Sequence, residues 1–214
     1  MSIPREKIID ALGRARADAP ERGFEQSIDL MVNLRELDMR RPENRVNMRV
    51  RLPNAIGGQR VLVFASGDLA LRAKRGGADG VIELPELKEM ASDRKETKRR
   101  LRDFDVFIAE APLMPTVGRV VGPILGPRGK MPTPVPPQAP IDSILERERR
   151  TIVLRSRSSP FVHCIVGKEG MGDEKVAENV EAVLSSLAQK LKRGMGNVRS
   201  AFLKLTMGPA ARVL

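Results

Sequence analysis

The chain has 214 residues, 38 Lys+Arg against 27 Asp+Glu for a formal charge of +11, and a hydrophobic share of 41%. That apolar content supplies one or two small cores and excludes disorder as the main state, and runs such as Val61–Ala65 fall far short of the roughly 20 residues of a membrane-spanning helix. One His (His163) and one Cys (Cys164) exclude a His/Cys zinc site within the chain and an internal disulfide; with six Phe and no Tyr or Trp, recognition by rows of stacked aromatics is poorly supplied, while the basic balance points to a polyanion, nucleic acid foremost.

In chain order, Ser2 is placed to cap a helix running to about Asp18, with Pro4 in its first turn and Ile8, Ala11, Leu12 and Ala15 as its apolar stripe. Ser27–Arg35 and Val46–Leu52 alternate as strands with one wet side: Asp29, Asn33 and Arg35 in the first, Asn47, Arg49 and Arg51 in the second. The style then changes. Arg60–Ala65, Val81–Leu84 and Asp105–Ala109 are short apolar strands. They are separated by a helix ending near Arg75 and a charged helix over Pro85–Arg102, the alternation of a parallel, doubly wound unit. From Pro112 to Pro140 the chain reads as a Gly/Pro-punctuated loop with room for one short helix, followed by a helix over Ile141–Arg150. Alternation returns at Thr151–Arg157 and Phe161–Val166. Asp173 then caps a helix striped by Val176, Val180, Val183, Leu184, Leu187 and Leu191 and stopped at Gly194, and Val198–Met207 is the last strand.

The two ends match in style and the middle does not. Each end alone is marginal in size. The expectation is therefore a split α+β domain, 1–60 with 150–214, carrying an inserted α/β domain at 61–149. Residues 1–66 and 151–214 together hold +8 of the +11, which makes that domain the first candidate for binding nucleic acid.

Few segments carry readable chemistry. Gly122–Pro132 invites a phosphate-loop reading but fails the Walker pattern at Ile124 and Met131, and its prolines remove amide donors; the alternative is a rigid loop. The run Arg94–Arg102 reads either as a phosphate-contacting helix or, better, as a solvated face with cations at a helix C-terminus. Lys190, Lys192 and Arg193 are likewise explained by a last helical turn. His163 reads as a half-buried structural residue, pointing away from Cys164 on the other strand face. In Ser200–Gly208, Ser200, Phe202, Lys204 and Thr206 share one face, with Ser200 and Thr206 about 20 Å apart at the strand rise. Two hydroxyls and a lysine suit an RNA backbone, and Gly208 admits a partner's backbone. A plain edge strand with a polar side explains the same pattern.

Leu205-Thr206-Met207-Gly208-Pro209-Ala210 and Ile124–Pro132, with Asp38–Arg45 and Lys130–Pro136, resemble the large-subunit ribosomal protein L-one family, the stalk proteins, in its archaeal branch; the resemblance runs essentially end to end. It implies a split α+β RNA-binding domain with an inserted Rossmann-like α/β domain that holds no nucleotide cofactor, a hinge near residues 60 and 150, and no catalysis. It also implies binding to ribosomal RNA at the mobile stalk, help in releasing exit-site tRNA and repression of the protein's own mRNA through a mimic of the ribosomal site. The free protein would be a cytoplasmic monomer. The family's RNA-contacting positions fall on Phe24, Ser200, Thr206, Met207 and Gly208, with Lys168 matching a further position and Lys204 lying on the same strand face. From the residues alone, Phe24 reads as a core anchor. Gly23 stands where some relatives have a basic residue, with Arg22 one place earlier. A nucleotide-dependent enzyme built on the α/β middle is one rival reading, opposed by the failed Walker pattern and the lack of GxGxxG after the first strand of that unit, and a generic RNA or polyanion binder without shape preference is the other.

Overall fold

A computed structural model describes residues 3–156 and 158–214. The expected cap at Ser2 and the expected strand end at Arg157 lie outside these residues. The elements are α1 (Arg5–Ala17), β1 (Ser27–Leu34), β2 (Asn47–Arg51), β3 (Val61–Phe64), α2 (Gly67–Arg75), β4 (Gly80–Ile82), α3 (Leu84–Glu89), α4 (Arg94–Arg100), β5 (Val106–Glu110), α5 (Met114–Val120), α6 (Gly122–Leu125), β6 (Thr133–Val135), α7 (Ile141–Arg149), β7 (Thr151–Arg155), β8 (Phe161–Lys168), α8 (Asp173–Lys190), β9 (Val198–Leu205) and β10 (Ala211–Arg212). Two compact units result: Met1–Gly57 with Arg150–Leu214, and Gly58–Arg149.

In the first unit, an antiparallel sheet in the order β10-β9-β1-β8 is accompanied by a two-stranded ribbon, β2-β7. Strict alternation buries Ile28, Leu30, Val32 and Leu34 on one face, against the stripes of α1 (Ile8, Ala11, Leu12, Ala15) and α8 (Val176, Val180, Val183, Leu184, Leu187). The ribbon adds Val50, Ile152 and Leu154 to the same core. Each element is thus half apolar, and its second half is left to water.

The second unit is a parallel sheet in the order β4-β3-β5-β6. Both faces are covered, so β3 and the first four residues of β5 are apolar. Val61, Val63 and Ile108 pack with α2 and α7, whereas Leu62, Phe64 and Phe107 pack with α3, α5 and α6.

Several expectations are corrected. Pro4 is the residue before α1, not part of its first turn. The charged helix expected over Pro85–Arg102 is two helices, because Asp93 accepts from the backbone N–H groups of Lys95 (2.8 Å) and Glu96 (3.0 Å) and starts α4 afresh. Leu84 opens α3 and does not end a strand. The Gly/Pro region holds α5, α6 and strand β6: Pro112, Pro115 and Pro123 sit in first helical turns, where a missing N–H costs nothing, and Pro134 lies on an edge strand. Gly172, not Asp173, is the cap position of α8, and the helix ends at Lys190 with Leu191 as its C-cap, ahead of Gly194, whose positive φ of 55° instead opens a short 3-10 turn. Lys192 and Arg193 therefore lie beyond the last helical turn, where they pair with Glu43 (3.2 Å) and Glu36.

Candidate nucleic-acid interface

Because α1 and α8 occupy one face of the antiparallel sheet, the other is an open surface whose composition is set by strand register. Ser200, Asn33 and Phe161 form one row across β9, β1 and β8. Phe202, Met31 and His163 form the next, then Lys204, Asp29 and Ile165. The last row joins Thr206, Ser27 and Lys168: Thr206 N–H donates to Ser27 O (3.0 Å), and Ser27 is opposite Lys168.

Lys168 reaches this face through a β-bulge. Simple alternation would place it with buried Cys164 and Val166, but the register shifts between Ile28 and Asp29, so the extra residue restores Lys168 to the side of His163 and Ile165. Its Nζ pairs with Glu25 (3.1 Å), next to Phe24. Phe24 is 54% exposed, which overturns its reading as a core anchor: the chain there is not yet in β1, and alternation begins only at Gln26. Met207 is 52% exposed, and Thr206 is exposed in the turn that follows β9.

This turn is held by a residue that sequence reasoning passed over. Gln26 has no solvent exposure; its Oε1 accepts from Met207 N–H (3.0 Å) and its Nε2 donates to Pro20 O (3.0 Å). Its backbone N–H donates to Glu169 Oε2 (3.1 Å), and its carbonyl accepts from Glu169 N–H (2.8 Å). One side chain and its backbone therefore tie together the loop before β1, the end of β8 and the turn after β9. The signal was present, since Gln26 has the parity of Ile28 and Leu30. Ser27 N–H also donates to Thr206 Oγ1 (3.2 Å), and Gly208 N–H to Leu205 O (3.0 Å).

Ser200 lies at the far end of the face. It is only 9% exposed, and its Oγ accepts from Asn33 Nδ2 (2.9 Å). Thus Phe24, Lys168, Thr206, Met207 and Gly208 gather at one end, whereas Ser200 does not join them. Lys204 stands between, opposite Asp29. Partial burial raises the Asp29 carboxyl above its ordinary range, against the opposing pull of Lys204 and His163. Two other readings, of the β9 edge and of His163, are corrected, and the surroundings of Gly208 and the charge of the face become defined. Over its middle, β9 is not an edge strand, because β10 pairs at Leu203 and Phe202. The close approach at Gly208 is to this chain's own Ala19: a Cβ there would lie 3.1 Å from the Ala19 Cβ. His163 is exposed, with its ring stacked on Phe161 at 5.5 Å, and Cys164 is buried on the opposite face. The face is also only mildly basic, because Asp29 and Glu25 offset Lys204 and Lys168 and leave Arg212, opposite Phe202, in excess. It offers hydroxyls, an amide, exposed rings and a thioether, a set suited to contour and hydrogen-bond recognition.

In the parallel unit, Glu110 Oε2 accepts from the backbone N–H (2.8 Å) and hydroxyl (2.7 Å) of Ser66, which leads into α2. A carboxylate of the chain itself thus occupies the strand-to-helix junction where dinucleotide-binding folds seat a phosphate. In the Gly122–Pro132 segment, Lys130 Nζ bonds to Phe104 O (3.1 Å) and Asp105 Oδ1 (3.3 Å), and Lys130 N–H closes onto Leu125 O (3.1 Å), the arrangement of a rigid loop. Of the basic run in α4, Arg100 pairs with Glu86 (2.5 Å), and the other cations are exposed. Among the described residues no group of His, Cys, Asp and Glu is arranged to hold a metal ion, and no helix is long and apolar enough to cross a membrane.

Comparison with known proteins agrees with this architecture. The chain is 46% identical over 212 residues to the large ribosomal subunit protein uL1 of Methanothermococcus thermolithotrophicus, covering 99% of each chain. It is 45% identical to the protein of the same name from Pyrococcus horikoshii, over 100% of this chain and 98% of that one. With the Methanothrix thermoacetophila protein of that name the identity is 45%, over 98% of this chain and 100% of the other. The model of the Ribosomal protein L1p/L10e family matches residues 15–209, which include the open sheet face, the turn at Thr206–Gly208 and the whole parallel unit. Matched over residues 15–209 by the family model and at full length by such relatives, the chain belongs to the ribosomal protein L1p/L10e family.

Proposed function

We propose that this chain is a non-enzymatic constituent of the large ribosomal subunit. In this reading the open sheet face of the first unit binds ribosomal RNA at the mobile stalk. The observation that carries the reading is the gathering of Phe24, Lys168, Thr206, Met207 and Gly208 at one end of an uncovered face, anchored from below by buried Gln26. Thr206 and Ser200 hydroxyls bond to sugar and phosphate oxygens, Phe24 and Met207 pack on the RNA contour, and Lys168 and Lys204 supply a salt-sensitive term. The rigid seat of the turn lowers the ordering cost of binding. Assistance to exit-site tRNA release and repression of the chain's own mRNA belong to the same proposal. Repression requires that both RNAs use one surface, so an mRNA mimic must compete with the stalk fragment.

The test is a salt-titrated binding assay with a stalk-like ribosomal RNA fragment and a scrambled RNA of equal length. Preference for the stalk RNA should persist at high salt in the wild type and fall in Thr206→Ala. Equal binding of both RNAs, lost together as salt rises, would refute the site. A nucleotide-dependent activity in the parallel unit is disfavoured by Glu110 at the α2 junction, and stabilisation of the protein by millimolar ATP or NAD would revive it.

A further inference from the structure

The sheet face is only mildly basic, yet the segments that build the first unit carry most of the chain's positive charge. The β2-β7 ribbon accounts for much of it. Register places Asn47 opposite Arg155, Arg49 opposite Val153 and Arg51 opposite Thr151, all on the side away from the core residues Val50, Ile152 and Leu154. This side carries Arg49, Arg51 and Arg155 and no acidic residue. The side chains of Arg51 and Arg155 are exposed, and neither is held by a hydrogen bond or ion pair among the described residues. At one end the ribbon runs into a cleft of about 440 Å³ lined by Arg45, Asn47, Arg155, Ser156 and Ser158, with Pro42. Arg45 is fixed there by its Nε bond to Met39 O (3.1 Å). Ser156 is buried and accepts from Val46 N–H (2.8 Å), which leaves its own hydroxyl proton to donate.

We infer that the outer side of this ribbon is a second RNA surface, one that grips phosphates without reading sequence and seats one phosphate in the Arg45–Arg155 cleft. Charge complementarity selects the occupant. The exposed guanidiniums of Arg51 and Arg155, with Arg45 beside the cleft, suit a phosphodiester backbone, and each brings bidentate geometry to the phosphate oxygens. The division of labour follows: the sheet face sets preference and the ribbon sets the salt-dependent part of affinity. This rests on the proposed RNA binding, but the two surfaces fail in different ways.

The experiment measures affinity for the stalk-like and scrambled RNAs from low to high KCl for wild type, the double variant Arg51→Gln/Arg155→Gln, the double variant Arg51→Lys/Arg155→Lys, and Thr206→Ala. The glutamine pair should weaken binding to both RNAs by the same factor, keep the preference ratio and lower the slope of log K against log salt by roughly 1–2, about one unit per lost phosphate contact. The lysine pair should retain the slope. An unchanged slope in the glutamine pair, or a loss of preference with the slope intact, overturns the ribbon assignment. Wild-type protein without preference and indifferent to Thr206→Ala overturns the sheet-face reading while leaving the ribbon's slope change standing. Both arginines are exposed, so thermal melts of the wild type and the two arginine variants should coincide. A crosslinked protein partner on the ribbon, with RNA slopes unaffected, also refutes the inference.

Discussion

Gln26→Met exposes the coupling between core and candidate interface. The substitution keeps length and apolar volume and removes two side-chain bonds, those from Met207 N–H and to Pro20 O. The Gln26 backbone bonds to Glu169 are unaffected. An unsatisfied buried partner costs about 1–3 kcal/mol; Met207 and Pro20 are exposed residues, so water replaces part of the loss, and about 1 kcal/mol apiece is the working figure. A total of about 2 kcal/mol lowers Tm by roughly 4–8 °C in a chain of this size. Calorimetry reads the melt and fluorescence anisotropy reads the RNA affinity. Affinity for the stalk fragment should fall about tenfold or more at a temperature where the variant is fully folded, because the Thr206–Gly208 turn has lost its seat. A Tm within about 1 °C of wild type would mean that water satisfies both groups outright. An unchanged affinity in a destabilised variant would mean that the turn is not part of the interface.

Three further outcomes test other parts of the structure. Burial, reinforced by the Asp29 charge, pushes the Cys164 thiol up to about 12. The native protein should therefore resist thiol-disulfide reagents at pH 8 and react once unfolded. Because the folded state holds this proton more tightly, its contribution to stability is complete below the unfolded thiol's pKa near 8.5 and is lost as pH rises towards 12. Asp29→Asn should raise RNA affinity several-fold, since it removes a partly desolvated negative charge from the middle of the face; weaker binding would show instead that Asp29 orders Lys204 for contact. Gly80→Ala should cost about 1–3 kcal/mol by overpacking, measured by urea unfolding, because its Cβ would lie 2.7 Å from Leu62 Cδ1 and 2.8 Å from Phe104 Cζ.

Period and composition alone were enough for the elements that repeat one choice of face. The alternation of Ser27–Leu34 specified a half-buried strand, the stripes of α1 and α8 specified two helices on one side of a sheet, and the short apolar runs specified a covered parallel sheet. Such patterns are legible because burying one side of an element is a local choice repeated many times. The long motifs at Thr206–Gly208 and Ile124–Pro132 supplied the family resemblance, and the pattern of Ser200 to Thr206 named a face before its neighbours were known.

What needed the tertiary structure were the places where distant segments meet. Gln26 looks like any polar residue until its amide is seen between Pro20 and Met207. Lys168 joins Ser27 only because a bulge shifts the register, and Phe24 turns outward because the strand begins after it. The prolines of the middle segment read as a loop, yet they occupy first turns and an edge strand, positions that require no amide proton. The arginines of β2 gain meaning only when Arg155, more than a hundred residues away in the chain, pairs across from Asn47. Register, bulges and long-range hydrogen bonds are set by contacts between segments far apart in the chain, and no periodicity within one segment encodes them.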